Sequence, residues 1–198
     1  MSYYPYKIYC DMDGVLCDFE KGVVEAINRD LKSKNPKDPK LAAEVVAELG
    51  RNYVKTSDIQ KYAPGKSPAA TKYMYKLVHD DEAFWVNLPW QPGGKELWAY
   101  IKQYNPDILT APMDKLGKNE SLSGKLLWVE KNLGLSSDKV NFEHKKWKYA
   151  LSPDGKSNIL IDDFQSKVEP FTEAGGIGIL HISANNTIKI LKLLEEFE

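Results

Sequence analysis

Ile8-Tyr-Cys-Asp-Met-Asp-Gly-Val-Leu-Cys-Asp-Phe19 is the stretch from which the rest of the chain is read. An apolar-rich segment, Tyr6 to Cys10, ends at Asp11, which predicts a short buried strand and then a loop at Gly14. The carboxyl end of that strand delivers two acids, Asp11 and Asp13, into the loop. Phe19 to Leu31 follows, with Val23, Val24, Ile27 and Leu31 at helical spacing.

Outward from there, no strand signal occurs over residues 20–90, which read as a mostly helical insertion. Ser33 to Lys40 is a polar, Pro-containing break, Leu41 to Leu49 a helix stopped by Gly50, and Pro64 to Pro68 a second break. Pro68 to His79 is a helix with Pro in its first turn. Phe84-Trp-Val-Asn-Leu-Pro-Trp90 is dense in aromatics, and the turn Gln91 to Gly94 precedes a helix over Lys95 to Gln103. Strands then alternate with helices. Strands are expected at Asp107–Thr110, Lys139–Phe142, Asn158–Ile161 and Gly178–Ile182, and helices at Ser123–Leu133, Lys145–Leu151 and Thr187–Phe197. This alternation predicts an α/β fold. Its core is a Rossmann-like parallel sheet with helices on both faces, and a small helical cap is inserted after the first strand. Residues 1–19 and 91–198 form the core domain and 20–90 the cap.

Composition narrows the function classes. The chain has 198 residues, 27 Lys+Arg against 28 Asp+Glu, and a net charge of −1, so it offers no broad basic field for nucleic acid. No apolar run approaches the roughly 20 residues that span a bilayer, and the start lacks a signal-peptide pattern. Two cysteines, Cys10 and Cys17, exclude a disulfide framework and favour a reducing cytoplasm. A homodimer is left open.

Ligands of an open parallel sheet bind beyond the carboxyl ends of its strands. Those ends would carry Asp11 and Asp13, then Thr110 and Ala111, then the pair Lys145-Lys146, then Asp162 and Asp163. Four gathered carboxylates repel one another unless a cation sits among them, and such oxygen ligands suit Mg²⁺. Magnesium suits a phosphate substrate, whose remaining oxygens the Thr110 hydroxyl, loop amides and a Lys would hold. One carboxylate could attack phosphorus, and an acid two residues on could protonate the leaving oxygen. Taken singly, each pair reads as readily as solvated loop acids or a cap. What distinguishes them is their shared placement at the ends of separate strands.

The segment Asp11 to Phe19 resembles the first motif of the haloacid dehalogenase superfamily of phosphohydrolases, and its D-M-D-G-V-L-x-D-F form is similar to the 5′(3′)-deoxyribonucleotidase family. Leu109-Thr-Ala-Pro112 resembles the second motif and Ile159-Leu-Ile-Asp-Asp163 the fourth, so the resemblance runs from Ile8 to about Ile182. It implies Asp11 as nucleophile and magnesium ligand, and Asp13 as acid/base with its backbone carbonyl on the metal. It implies phosphate binding by Thr110, the Ala111 amide and one Lys, with Asp162 and Asp163 completing the metal site in either order. Ala111 departs from relatives that place Ser there. Lys145 is the first choice for the third-motif Lys, because it puts Trp147 and Ala150 on the inner face of a helix; a one-residue shift would exchange it for Lys146.

By the same resemblance Phe19, Phe84 and Trp85 form an apolar slot for a nucleobase, against the alternative of plain packing in the cap core. Lys125 and Lys115 read as solvated lysines before phosphate ligands, and Cys10 as a small buried hydrophobe. The expectation is a magnesium-dependent phosphomonoesterase acting on nucleoside monophosphates, deoxy and pyrimidine forms favoured. The alternatives are a phosphatase of sugar phosphates or other small metabolites, and a non-catalytic nucleotide-binding protein. Action on a nucleic-acid end is disfavoured by the charge balance, and a membrane role is not expected.

Overall fold

The structure, a computed structural model, describes residues 6–59, 67–113 and 120–196. Lys115, Phe197 and most of the Pro64–Pro68 break lie outside the described residues. Five strands form one sheet: β1 (Ile8–Cys10), β2 (Asp107–Thr110), β3 (Val140–Phe142), β4 (Ile159–Asp162) and β5 (Ile177–Leu180). Their order is β3-β2-β1-β4-β5 and every pair is parallel. The fold is thus the expected α/β, Rossmann-like sheet. Successive side chains of a strand point to opposite faces, and Ile159, Leu160 and Ile161 all have no exposed surface, so both faces of β4 are covered. That is why β4 reads as an unbroken apolar run.

The topology places the first strand at the centre. The chain steps outward from β1 to β2 to β3, then crosses to the other side of β1 for β4 and β5. Cys10 pairs with Ile108 on one side and with Ile161 on the other. The residues just beyond Cys10 are therefore flanked by the ends of both neighbours.

Eight α-helices are described: α1 (Phe19–Leu31), α2 (Pro39–Leu49), α3 (Pro68–Val78), α4 (Glu82–Val86), α5 (Gly94–Ile101), α6 (Glu120–Leu133), α7 (Gln165–Glu173) and α8 (Ala184–Glu196). Their ends follow local chemistry. Asp38 accepts from the Leu41 amide at 3.0 Å, Pro39 sits in the first turn of α2, and Gly50 closes it at φ +64°. Ser67 caps α3 by accepting from the Ala70 amide at 3.0 Å.

Three differences from the sequence reading have physical causes. α7 carries Pro170 in its interior, a residue that argues against a helix when read alone. α4 is only five residues long, too short to show a period. The segment expected as an α-helix at Lys145–Leu151 is a 3₁₀ turn over Lys146–Tyr149, which changes which side chains face inward.

By packing, the described chain divides into two compact units. One holds residues 6–18, 90–112 and 129–196, including the whole sheet; the other, which is helical, holds 19–59, 67–89, 113 and 120–128. The sequence reading put the last of these segments with the core, whereas in the structure the first part of α6 packs with the helical unit. Within that unit, Trp128 donates its indole N–H to the Leu88 carbonyl at 2.8 Å. Among the described residues no helix is long and apolar enough to cross a membrane.

Candidate active site

The loop after β1 is held by its own backbone. The Met12 carbonyl accepts from the Leu16 and Cys17 amides, both at 2.9 Å, and the Gly14 amide donates to the Cys17 carbonyl at 2.8 Å. Gly14 has φ +87°, a conformation costly for any residue with a Cβ. Met12, Val15, Leu16 and Cys17 have no exposed surface. A buried, hydrogen-bonded turn leaves its acids little freedom. The Asp11 amide donates to the Ile161 carbonyl at 2.9 Å, so the first acid is anchored to β4.

The central feature is a buried ammonium between two carboxylates. Lys146 Nζ lies 2.8 Å from Asp11 Oδ1 and 2.6 Å from Asp162 Oδ2. All three residues are buried. Burial favours the neutral amine of Lys146, but the charges of Asp11 and Asp162 more than offset it and raise its pKa. Burial, followed by the Asp11 charge, raises the Asp162 pKa, while Lys146 and the Phe164 amide act against the rise. That amide donates to Asp162 Oδ1 at 2.8 Å, so both oxygens of Asp162 are engaged.

Asp11, Asp162 and Asp163 place ligand oxygens within 4.8 Å of one another. Three carboxyl groups thus gather beside the Lys146 ammonium. Asp11 Oδ1 is buried and accepts no well-aligned hydrogen bond, its charge being met by the Lys146 ammonium. Oxygens sharing one Mg²⁺ are about 3–4 Å apart, given bonds of about 2.1 Å. The residues present therefore fit a small, hard divalent cation after little adjustment. The Asp13 side chain is not a member of this cluster. Its Oδ1 instead accepts from the Cys17 thiol at 3.3 Å.

Lys146, and not Lys145, is the lysine brought to the acids. Lys145 is exposed and its amide donates to Glu143 Oε1 at 2.8 Å. An inward-facing Lys145 requires Trp147 to face inward as well, yet Trp147 is 45% exposed while Ala150 is buried. A 3₁₀ turn that begins one residue later accounts for the exchange. Thr110 ends β2, is fully buried, and its carbonyl accepts from the Glu143 amide at 3.1 Å; Ala111 follows, half-buried. Continuing the β1–β2 register puts Thr110 level with Met12, between the two acids.

The aromatic residues lie in the helical unit. Phe19 and Trp85 stack with ring centroids 5.4 Å apart, and Phe84 meets both edge-on, at 6.0 and 5.2 Å. Trp85 is 1% exposed and donates its N–H to the Val78 carbonyl at 2.8 Å; Phe19 is also buried. Phe84 borders a cavity of about 230 Å³ shared with Gly22, Arg29, Asn87 and Leu88, and Phe19 a much smaller one of about 10 Å³ beside Val23 and Ile59. Lys125, expected as a solvated helix lysine, is 1% exposed with its ammonium 5.1 Å from the Trp85 ring centroid. The contact between Cys17 and Asp13 was missed in the sequence. Its signal is the four-residue separation of a thiol and a carboxylate across a tight glycine turn.

No family model matches the chain. In fold it is similar to a hydrolase from Streptococcus pneumoniae TIGR4, at 15% identity and a TM-score of 0.52, covering 97% of this chain and 100% of that one. This likeness is one of fold, an α/β Rossmann-like architecture. A hydrolase from Pseudomonas syringae matches at 14% identity and a TM-score of 0.43, covering 96% of this chain and 90% of that one. A HAD hydrolase, family IA, variant 3, from Entamoeba histolytica HM-1:IMSS matches at 15% identity and a TM-score of 0.40, with 93% and 88% covered. The last two scores are too low to carry an argument.

Proposed function

We propose that this protein is a magnesium-dependent phosphomonoesterase of the haloacid dehalogenase type. The observation that carries this reading is Asp11 at the centre of the sheet, paired with buried Lys146 and clustered with Asp162 and Asp163. Asp11, Asp162, Asp163 and the Asp13 backbone carbonyl would hold Mg²⁺, which when bound would neutralise phosphate charge. Thr110, the Ala111 amide and Lys146 would bind the phosphate oxygens. The Asp11 carboxylate attacks phosphorus in line, forming an aspartyl-phosphate as the P–O bond to the leaving group breaks. Asp13 gives its proton to the leaving oxygen, then takes one from the water that hydrolyses the acyl phosphate. Lys146, 2.8 Å from Asp11 Oδ1, orients the Asp11 carboxylate for that attack.

The substrates we propose are nucleoside monophosphates, with Phe84 as the aromatic residue open to a base. A second reading, small phosphate esters such as sugar phosphates, is favoured by one observation: the Trp85 and Phe19 rings are buried in packing. A release assay over deoxy- and ribonucleoside monophosphates and sugar phosphates, with and without EDTA and repeated on Asp11→Asn, tests both. Phosphate release that is abolished by EDTA and by Asp11→Asn supports the mechanism. Activity that survives Asp11→Asn overturns it, and no release from any ester supports a non-catalytic role.

A further inference from the structure

We infer that Cys17 is a positioning residue for Asp13, its thiol holding the acid/base carboxyl in the orientation from which it protonates the leaving group. The inference rests on the phosphomonoesterase reading above. Cys17 Sγ donates to Asp13 Oδ1 at 3.3 Å, an ordinary separation for a sulfur donor, and the thiol is fully buried. The backbone bonds of Cys17 close the turn: its amide donates to Met12 and its carbonyl accepts from Gly14. Any residue but proline could make those two bonds, so the side chain's particular contribution is its contact with the carboxyl group. The other cysteine differs, because Cys10 Sγ meets only the Asp11 backbone carbonyl, at 3.3 Å.

The position of Cys17 in the chain strengthens the inference. Cys17 also forms a β-bridge with Trp90, and the Gln91 amide donates to the Leu16 carbonyl at 2.8 Å. These residues stand where the chain leaves the sheet unit at Asp18 and re-enters it at Trp90. The thiol is thus mounted on a doubly anchored segment rather than on a free loop, and it restricts rotation of the Asp13 carboxyl. With the thiol proton directed at Oδ1, the transferable proton is carried on Oδ2. A thiol is a weak donor, so its part is to orient the carboxyl group.

Leaving-group dependence separates this role from general support. An alkoxide must be protonated as it leaves, whereas 4-nitrophenolate leaves unprotonated at neutral pH. Loss of acid catalysis therefore slows alkyl phosphates selectively. Cys17→Ala is expected to lower kcat/KM, which reports the steps up to formation of the acyl phosphate and not its hydrolysis, about 5- to 20-fold on an alkyl phosphate monoester and less than about 2-fold on 4-nitrophenyl phosphate. Cys17→Ser, which restores a donor, is expected to recover alkyl phosphate turnover to within about 3-fold of the parent. Cys17→Val, close in volume and without a donor, takes the place of the alanine variant if that variant does not fold. Equal losses of kcat/KM on the two substrates, or an unchanged kcat/KM on the alkyl phosphate in a folded donor-less variant, overturn the inference. Asp13→Asn is run beside them. If it shows no selective loss on the alkyl phosphate, the assignment of Asp13 as the acid fails first, and that outcome is read apart from the cysteine result.

Discussion

The carboxyl edge of the sheet and the ring cluster of the helical unit both bury groups that were candidates for function, but they bury them differently. At the sheet edge the gathered groups are ionisable: Lys146 faces Asp11 and Asp162, and Asp163 adds a third carboxyl group. In the helical unit the rings are satisfied by one another, and the Trp85 indole N–H is bonded to the Val78 carbonyl. Clustered carboxyl groups at a low-dielectric site point to a ligand, because like charges are poorly tolerated there. Burial with complete apolar packing points to stability. The contrast separates chemistry from scaffold more sharply than residue type does.

The comparison is broken most directly at Asp11. Asp11→Asn is expected to lower phosphate release by about 10³-fold or more, as loss of a nucleophile does, while the fold persists. Circular dichroism alongside the release assay would show whether both parts of that statement hold. Lys146→Ala should strip the charge balance from two buried carboxylates and cost about 3–5 kcal/mol of stability, whereas Lys145→Ala on the exposed neighbour should cost under about 0.5. Urea denaturation of the pair measures this, and similar midpoints would remove the distinction drawn between the two lysines.

On the other side of the comparison, Gly124→Ala should act as a packing change alone. Its added Cβ would stand 2.4 Å from the Trp85 Cβ, so destabilisation of about 1–3 kcal/mol is expected. Turnover of a small phosphate ester should survive in the folded fraction. Phe84→Ala should raise KM for a nucleoside monophosphate by about 5- to 20-fold and leave small esters within about 2-fold, the effect of removing one ring contact. Equal kinetics on both substrate classes would favour the small-ester reading.

The smallest expected effect is one of pH, in the helical unit. Burial pushes the Asp58 carboxyl up, but the Lys55 amide and the Arg51 guanidinium, bonded at 2.6 Å, hold it below its ordinary 3.8. A depressed pKa stabilises the fold fully above about pH 4, and that contribution is lost as the pH falls through the lower folded value. Asp58→Asn should therefore lower stability at pH 6 and flatten its decline between pH 5 and pH 3. An unchanged acid limb would assign that decline to other carboxylates.

Much of this was legible in the chain, and the exceptions share a cause. Strands β2 and β4 were placed to within a residue because fully buried parallel strands are apolar runs ended by polar groups. Thr110 and Asp162 follow from those ends, and Asp11 from the end of β1. α7 was hidden by Pro170, whose penalty is overcome in place by burial of Val168 and Phe171. Lys125 looked like a solvated helix lysine, since periodicity cannot say which face a neighbouring element will cover. Trp85 read equally as ligand contact or core because the same side chain serves both.

The local order of residues was enough to establish a parallel α/β sheet and to bring acids to its carboxyl edge, because strand period and turn chemistry act over a few positions. Tertiary structure alone decided which of Lys145 and Lys146 meets Asp11, that both oxygens of Asp162 are engaged, and that Cys17 touches Asp13. Each of those depends on an angle of turn or a side-chain direction set by surrounding packing. A one-residue difference in where a 3₁₀ turn begins moves an ammonium from solvent to the centre of the site.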